Sequence, residues 1–600
     1  MAQRDKIDEK YKWKLEDIYQ TDGDWEKDFM KLEELFEGIS SIKENLTKSA
    51  KGLYAALYEM EQMEHIAANL FVYARMRRDE DNTSAVYQAM TQKATEMSVR
   101  LSSALSFVNP ALLALEKGVI ERWLEKADEK KSLKGLKNYD FMLRELLRGK
   151  KHVLSAKEEK ILSMSGEIAG APKDIFTMLN NADLQFGSVK NEKGRRVPLT
   201  HGSYIVLMQS PDREVRKKAY ENLYKVYKQN INTISTAYAA SVKKDIFYAK
   251  ARKFKRAIER PLFADNVPVE LYDNLIGTVH KNLPTMHRYV NLRKRILKLD
   301  ELHMYDIYAP LVADVENDYP FEKSMRMVKQ GLAPLGKEYA ALLDASVKDR
   351  WIDVQETPGK TSGAYSWGVY GVHPYVLLNH RGDLDSVFTI AHELGHAMHT
   401  HYSNTTQPEA KAGYTIFVAE VASTVNEILL THYLLDTVKA KKQRQYILNH
   451  YLDQFRTTVM RQTMFAEFEK MAHGNAENGL PLTFASLCEM YGDLNAQYHG
   501  AGMQRDEQIT YEWARIPHFY NAFYVYKYAT GFSCAVQIAA DILSGRKGAV
   551  SGYIEFLSAG GSDHPLNLLK IANVDLASGR PVEVCMKEFD KALTEFEKAL

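Results

Sequence analysis

Cysteine is nearly absent from this chain: three in 600 residues, at 488, 534 and 585. Cysteines so few and so far apart build neither a disulfide framework nor a Cys-x-x-Cys metal site, and they suit a reducing compartment. A surplus of either charge is lacking too. Lys and Arg number 79 against 78 Asp and Glu, a formal net charge of +1, so nothing in the bulk electrostatics draws the chain to nucleic acid or an anionic membrane. Short basic clusters such as Arg148-Gly149-Lys150-Lys151 have acids within a turn or two and read as solvated helix faces. Long hydrophobic runs are missing as well, and no window offers the roughly 18 uncharged apolar residues that a membrane span requires. The opening Met1-Ala2-Gln3-Arg4-Asp5-Lys6 has no apolar stretch of the signal-peptide kind. The expectation is a cytoplasmic protein with no nucleic-acid and no membrane partner, its oligomeric state left open.

Proline and glycine are scarce inside the long stretches that place apolar residues three and four apart among Lys and Glu, so most of the chain reads as helix. Ser155-Ala156-Lys157-Glu158 has the capping-box form, and Ser210-Pro211-Asp212 lines up a cap, a first-turn proline and an acid. Two regions break the pattern. Asp183 to Val206 outlines a hairpin, with Leu184, Phe186 and Val189 before a turn at Asn191-Glu192-Lys193-Gly194 and Val197 and Leu199 after it. Pro358 to Asn379 carries four glycines, two prolines and the strand-like Tyr375-Val376-Leu377-Leu378-Asn379. Six hundred residues exceed one simple core. The expected fold is therefore mainly α with a small sheet, divided into a helical N-terminal region over 1–190 and a second region over 191–600, the lobes sharing segments.

Just after the small sheet stands His392-Glu393-Leu394-Gly395-His396. Chance alone puts His-Glu-x-x-His in roughly one chain in twenty-five of this composition, so its context decides. The preceding Val387-Phe388-Thr389-Ile390-Ala391 is apolar enough to carry the motif on a buried helix. Residues four apart share a face, so both imidazoles reach one metal. Glu393 sits about 100° round the helix, placed to act on a water without ligating. Gly395 costs about 1 kcal/mol of helix propensity and wants a reason, such as close approach of another backbone. The plain alternative is two histidines that merely line a helix.

A catalytic zinc usually takes three protein ligands. A metzincin would have Gly at 399 and His at 402, where this chain has His399 and Tyr402. His399 shares the broad face of 392 and 396 but lies too far along to meet the same ion; it reads as a residue behind a ligand or facing substrate, and His401 as a helix-end residue. Of the downstream acids, Glu409 follows a proline in a polar connection and reads as exposed. Glu420 lies in the apolar run Ile416-Phe417-Val418-Ala419-Glu420-Val421-Ala422-Ser423, where a lone carboxylate is costly unless paired or bound to metal. Glu427 lies two turns on, same face. The economical assignment makes His392, His396 and Glu420 the ligands of one Zn2+ per chain, with Glu427 orienting a ligand histidine; an ordinary surface charge at 427 stays open.

His-Glu-Leu-Gly-His-Ala-Met-His from 392, followed by Phe-Val-Ala-Glu-Val-Ala-Ser from 417, resembles the thimet-oligopeptidase-like zinc metallopeptidases, in their oligoendopeptidase F branch. Trp13-Lys14-Leu15-Glu16-Asp17-Ile18-Tyr19, Gly363-Ala364-Tyr365-Ser366, the strand at Tyr375 and Ala559-Gly560-Gly561-Ser562 are similar to that family too, so the resemblance covers most of the chain. It implies a two-lobed helical body with a deep channel, zinc on His392, His396 and Glu420, Glu393 as general base, and short unstructured peptides as substrates. The segment Ile516 to Tyr528 reads on its own residues as a packed aromatic surface or as part of a site. The resemblance places there a histidine and tyrosines that hold the scissile carbonyl; by position these are His518 and Tyr526, with Tyr520 as the second tyrosine.

The implied activity is a zinc metalloendopeptidase that hydrolyses internal bonds of oligopeptides by an activated water, with His373 and Tyr375 on a strand that pairs with the substrate backbone. A zinc carboxypeptidase shares the motif and would need a cation to catch the terminal carboxylate. A helical binding module with a vestigial site would have lost the glutamate of the motif, and Glu393 is present.

Overall fold

The computed structural model describes residues 3–312 and 318–600. It is mainly helical, 73%, with two small sheets. The chain forms two compact units. The first comprises Met1–Lys151, Glu316–Tyr433 and Ile538–Asn573, the second His152–Val315, Leu434–Gln537 and Val574–Leu600.

In the first unit, Ser49 starts a helix over Ala50–Glu80 by accepting from the Gly52 N–H at 3.1 Å. Leu53, Ala56, Leu57, Met63, Ile66, Ala67 and Leu70 follow at helical spacing and are buried, packing on the Ala85–Ala104 helix. The three-stranded sheet lies against the helix Leu384–Thr406. Its order is Ile352–Asp353, Tyr375–Leu377, Tyr365–Trp367, the first pair parallel and the second antiparallel. Tyr375–Leu377 is therefore central. The outer side of Ile352–Asp353 is covered by the N-terminal segment, through Lys14 N–H to Arg350 O at 2.8 Å and Val354 N–H to Tyr11 O at 2.9 Å. Beneath it Asp353, 1% exposed, is held by Arg4 and Lys360, each at 2.6 Å.

In the second unit the capping box at Ser155 and Glu158 forms as the sequence predicts. So does the hairpin, Ser188–Lys190 on Arg196–Pro198 with Val189 opposite Val197. The cap at 210–212 shifts: Asp212 is the N-cap of Arg213–Gln229, Pro211 precedes the helix, and Ser210 accepts from the Asp212 N–H. The division differs from the one at 190. The first crossing falls at Lys151–His152, because the helix Gly166–Met178 packs on Ile231–Ala251 and Phe176 stacks on Tyr520 at 4.4 Å. Among the described residues no single helix is long and apolar enough to cross a membrane.

Candidate metal centre

The helix Leu384–Thr406 begins at Asp383, whose carboxylate accepts from the Ser386 N–H at 2.8 Å. Val387, Ile390, Ala391, Leu394, Ala397 and Met398 are fully or almost fully buried, which fixes the helix rotation and turns His392 and His396 to one side. Their Nε2 atoms lie 3.2 Å apart. From the helix Ile416–Thr437, Glu420 brings Oε2 to 3.4 Å from His392 Nε2 and 3.5 Å from His396 Nε2. A tetrahedral zinc with bonds of about 2.05 Å has ligands about 3.3 Å apart, so these three donors already stand along the edges of such a tetrahedron. The residues fit zinc.

The two helices meet where Gly395 sits. A Cβ there would stand 2.5 Å from Ser423 Cα and 2.7 Å from Ala422 O, so backbone-on-backbone approach is what this glycine allows. One polar side chain ties the crossing. Asn426 donates to Ala391 O at 3.0 Å and accepts from the Tyr339 hydroxyl at 3.0 Å, all in the interior. Ser423 donates to Glu420 Oε2 at 3.1 Å, steadying the ligand carboxylate. Ser423, Asn426 and Tyr339 have no role in the expectations drawn from the sequence. Their signal is a fully buried serine and asparagine in an otherwise apolar run.

Glu427 takes a hydrogen bond from His392 Nδ1. A carboxylate on Nδ1 keeps the proton there and leaves the Nε2 lone pair for a metal. Burial lowers the His392 pKa, but the Glu427 hydrogen bond and charge outweigh it and push the imidazole up to about 9. Contact with His396, ahead of an opposing desolvation, holds Glu420 down to about 2. Metal affinity at such a cluster is pH-dependent, because cation and proton compete for the same atoms. Glu393, 7% exposed, has its pKa raised by burial.

Other expected site residues lie elsewhere. His399 is completely buried and stacked on Tyr414 at 3.7 Å and 4°, with neither ring nitrogen hydrogen-bonded, so it neither orients a ligand nor faces substrate. Burial holds its pKa down to about 3. Glu409 is not an exposed charge: it pairs with His65 at 2.9 Å, its side chain 26% accessible. His373 spends its nitrogens on Asp17 and Pro374 O and stacks on Trp351, while Tyr375 is fully buried with its hydroxyl on Lys14 O. Their strand is paired on both sides and takes no further strand. In the second unit His518 is exposed, but Tyr520 and Tyr526 are 5% and 1% exposed, Tyr526 against Tyr272. The rings beside His518 are Tyr524 and Tyr528, at 6.4 and 6.0 Å.

A zinc held by two histidines of one helix and a glutamate of the next, with the motif glutamate between, defines a zinc metallopeptidase. The family model for Peptidase family M3 matches residues 206–588, and that for Oligopeptidase F matches 112–186. The chain is 44% identical to oligopeptidase PepF of Bacillus subtilis, covering 98% of this chain and 87% of that one. It is 40% identical to an oligoendopeptidase F homolog of Lactococcus lactis, over 99% and 98%. Among solved structures, oligoendopeptidase F from Enterococcus faecium matches at TM-score 0.73 and 35% identity over 96% and 99%. A Chlamydophila abortus peptidase matches at 0.93 and 33% over the whole of both chains. The chain belongs to peptidase family M3, in its oligopeptidase F group, and is a zinc metalloendopeptidase of oligopeptides.

Proposed function

We propose that Glu393 is the general base of oligopeptide hydrolysis and that the peptide lies extended along the open edge of the small sheet. The observation that carries the first point is the Glu393 carboxylate: next to His392, 7% exposed, raised in pKa by burial, with no hydrogen bond among the described residues. Zinc held by His392, His396 and Glu420 supplies Lewis acidity toward a carbonyl oxygen and acidifies a water. Glu393 takes the proton of the attacking water and hands it to the leaving amine; its raised pKa suits both transfers.

The edge follows from the register. Val376 and Leu378 direct their N–H groups to Trp351 O and Asp353 O, so Tyr375 and Leu377 face the other way and bond Trp367 and Tyr365. Ser366, between those two, turns its N–H and C=O outward. A peptide adding there gains main-chain hydrogen bonds that only an extended segment can make, which favours short unstructured substrates. Tyr365–Trp367 thus takes over the role expected of His373 and Tyr375.

The resemblance gives His518 a hydrogen bond to the substrate carbonyl, and that role is proposed for this chain. Its half-buried neighbours Tyr524 and Tyr528 support it better than the buried Tyr520 and Tyr526. A cytoplasmic location is proposed from the three cysteines, all free thiols. The test is mass spectrometry of the products of two peptide libraries, one blocked at both ends and one unblocked, with and without chelator. Internal cuts that vanish with chelator are expected. Removal of single residues from unblocked C-termini alone would make the chain a carboxypeptidase.

A further inference from the structure

A cavity of about 630 Å³ opens in the second unit beside the loop that joins His518 to Tyr524. One wall is the stretch Tyr520–Phe523; the other carries Lys244, Asp245, Tyr248 and Arg260. We propose that this cavity is a subsite for a carboxylate of the peptide substrate, with Arg260 and Lys244 as the residues that select it. The inference rests on the assignment of His518 to the substrate, since a peptide held there meets the cavity along Tyr520–Phe523.

The charge count favours an anion. Asp245 is divided between Lys244, at 3.2 Å, and His473, at 3.3 Å. Arg260 has no ion pair among the described residues; its guanidinium lies over the Tyr248 ring at 5.6 Å. Of the charged residues that line the cavity, Lys244 and Asp245 pair with each other, which leaves Arg260 as the uncompensated charge. Glu469 lies behind the loop and does not redress the balance. It is fully buried, and burial pushes its pKa well above the ordinary carboxylate value. Its Oε1 accepts from the Phe523 N–H at 3.2 Å. Phe523 is in the left-handed region, φ +60°, where a side chain is disfavoured. That hydrogen bond therefore holds the loop wall in a set shape. Of the acids just outside the lining, Asp265 is taken by Lys527 at 2.6 Å and Glu477 accepts from the Ala257 N–H at 2.5 Å.

A planar guanidinium over a tyrosine ring, with an ammonium lining the same cavity, forms a setting for a carboxylate, with Arg260 able to grip both oxygens. The carboxylate comes from an Asp or Glu side chain near the cleaved bond or from the free C-terminus of a short peptide.

The experiment uses the zinc-loaded enzyme and a quenched fluorescent peptide cleaved at one bond. Glu, Gln and Lys are placed in turn at each position flanking that bond, and each peptide is made as the C-terminal acid and amide. A part-exposed charge contact predicts that kcat/KM favours Glu over Lys, or acid over amide, by about two- to fivefold at one position. Arg260→Glu, on an exposed side chain, is expected to reverse that order. A preference carried by the side-chain series assigns the subsite to an acidic residue; one carried by the acid–amide pair assigns it to the C-terminus. No preference at any position, or a preference that Arg260→Glu leaves unchanged, overturns the proposal. His518→Ala separates the two readings: it is expected to slow all peptides alike. If rates stay put, the role of His518 falls, while the Glu-to-Lys ratio still reports on the cavity.

Discussion

Gly395 and Ser423 touch backbone to backbone: a methyl group on 395 would stand 2.5 Å from the Cα of 423. The metal centre is assembled from two helices, and this contact sets their spacing. Gly395→Ala adds helix propensity worth about 1 kcal/mol, yet the clash is with backbone, which cannot rotate away. Overpacking of this kind costs about 1–3 kcal/mol. The variant is expected to melt earlier and bind zinc less tightly, checked by thermal unfolding and metal content together. A variant that is more stable with full zinc would mean the helices are free to part.

Glu420 and Glu427 both face the histidines, but only one is a ligand. Glu420→Ala removes a third of the donor set and is expected to empty the site after dialysis. Glu427→Ala leaves three donors and loses the partner of His392 Nδ1, a change that weakens metal binding about 10–100-fold. Competition with a chromogenic chelator ranks the two; equal zinc affinity would undo the assignment.

Tyr524→Phe and Tyr528→Phe are each expected to lower kcat about tenfold or more, as loss of a donor to the developing oxyanion does. Tyr526→Phe, on a ring buried against Tyr272, is expected to alter stability more than kcat. The reverse order in steady-state kinetics would return the role to Tyr526.

The metal ligands are legible in the sequence because chemistry and position coincide. His392 and His396 share a helix face by spacing alone, and Glu420 stands out as a charge in an apolar run. Gly395 even announces the helix crossing, by costing propensity for no local gain. What stays hidden depends on strand order and on neighbours distant in the chain. Three-residue strands carry no mark of which is central, so Tyr375 reads as an edge although Ser366 occupies it. His399 has the right helical phase, but Tyr414 claims its ring. Tyr520 and Tyr524 lie in a 3-10 turn and the loop after it, where no period separates inward from outward residues, and Tyr526 and Tyr528 open the helix Tyr526–Leu543, where only the first turn is at hand to set the phase.

His399 also makes a pH prediction. Its folded pKa, about 3, lies below the ordinary histidine value of 6.5, so the folded state refuses a proton that the unfolded chain accepts. No cost arises above pH 6.5; below it, stability falls until pH approaches 3. At pH 5 the loss is about 2 kcal/mol. His399→Phe keeps a ring against Tyr414 and removes this pH dependence. In denaturant unfolding with chelator present, the variant is expected to gain about 2 kcal/mol on wild type between pH 7.5 and 5. Parallel profiles would show that His399 charges in the folded protein.

Glu393→Gln bears most directly on the mechanism, with zinc per chain and cleavage of a doubly blocked peptide measured on the same sample. The amide keeps the size of the side chain and leaves His392, His396 and Glu420 intact, so one zinc per chain is expected. Loss of the proton acceptor is expected to lower kcat by about 10²–10⁴. Full zinc with a wild-type rate would contradict the assignment of Glu393 as the base.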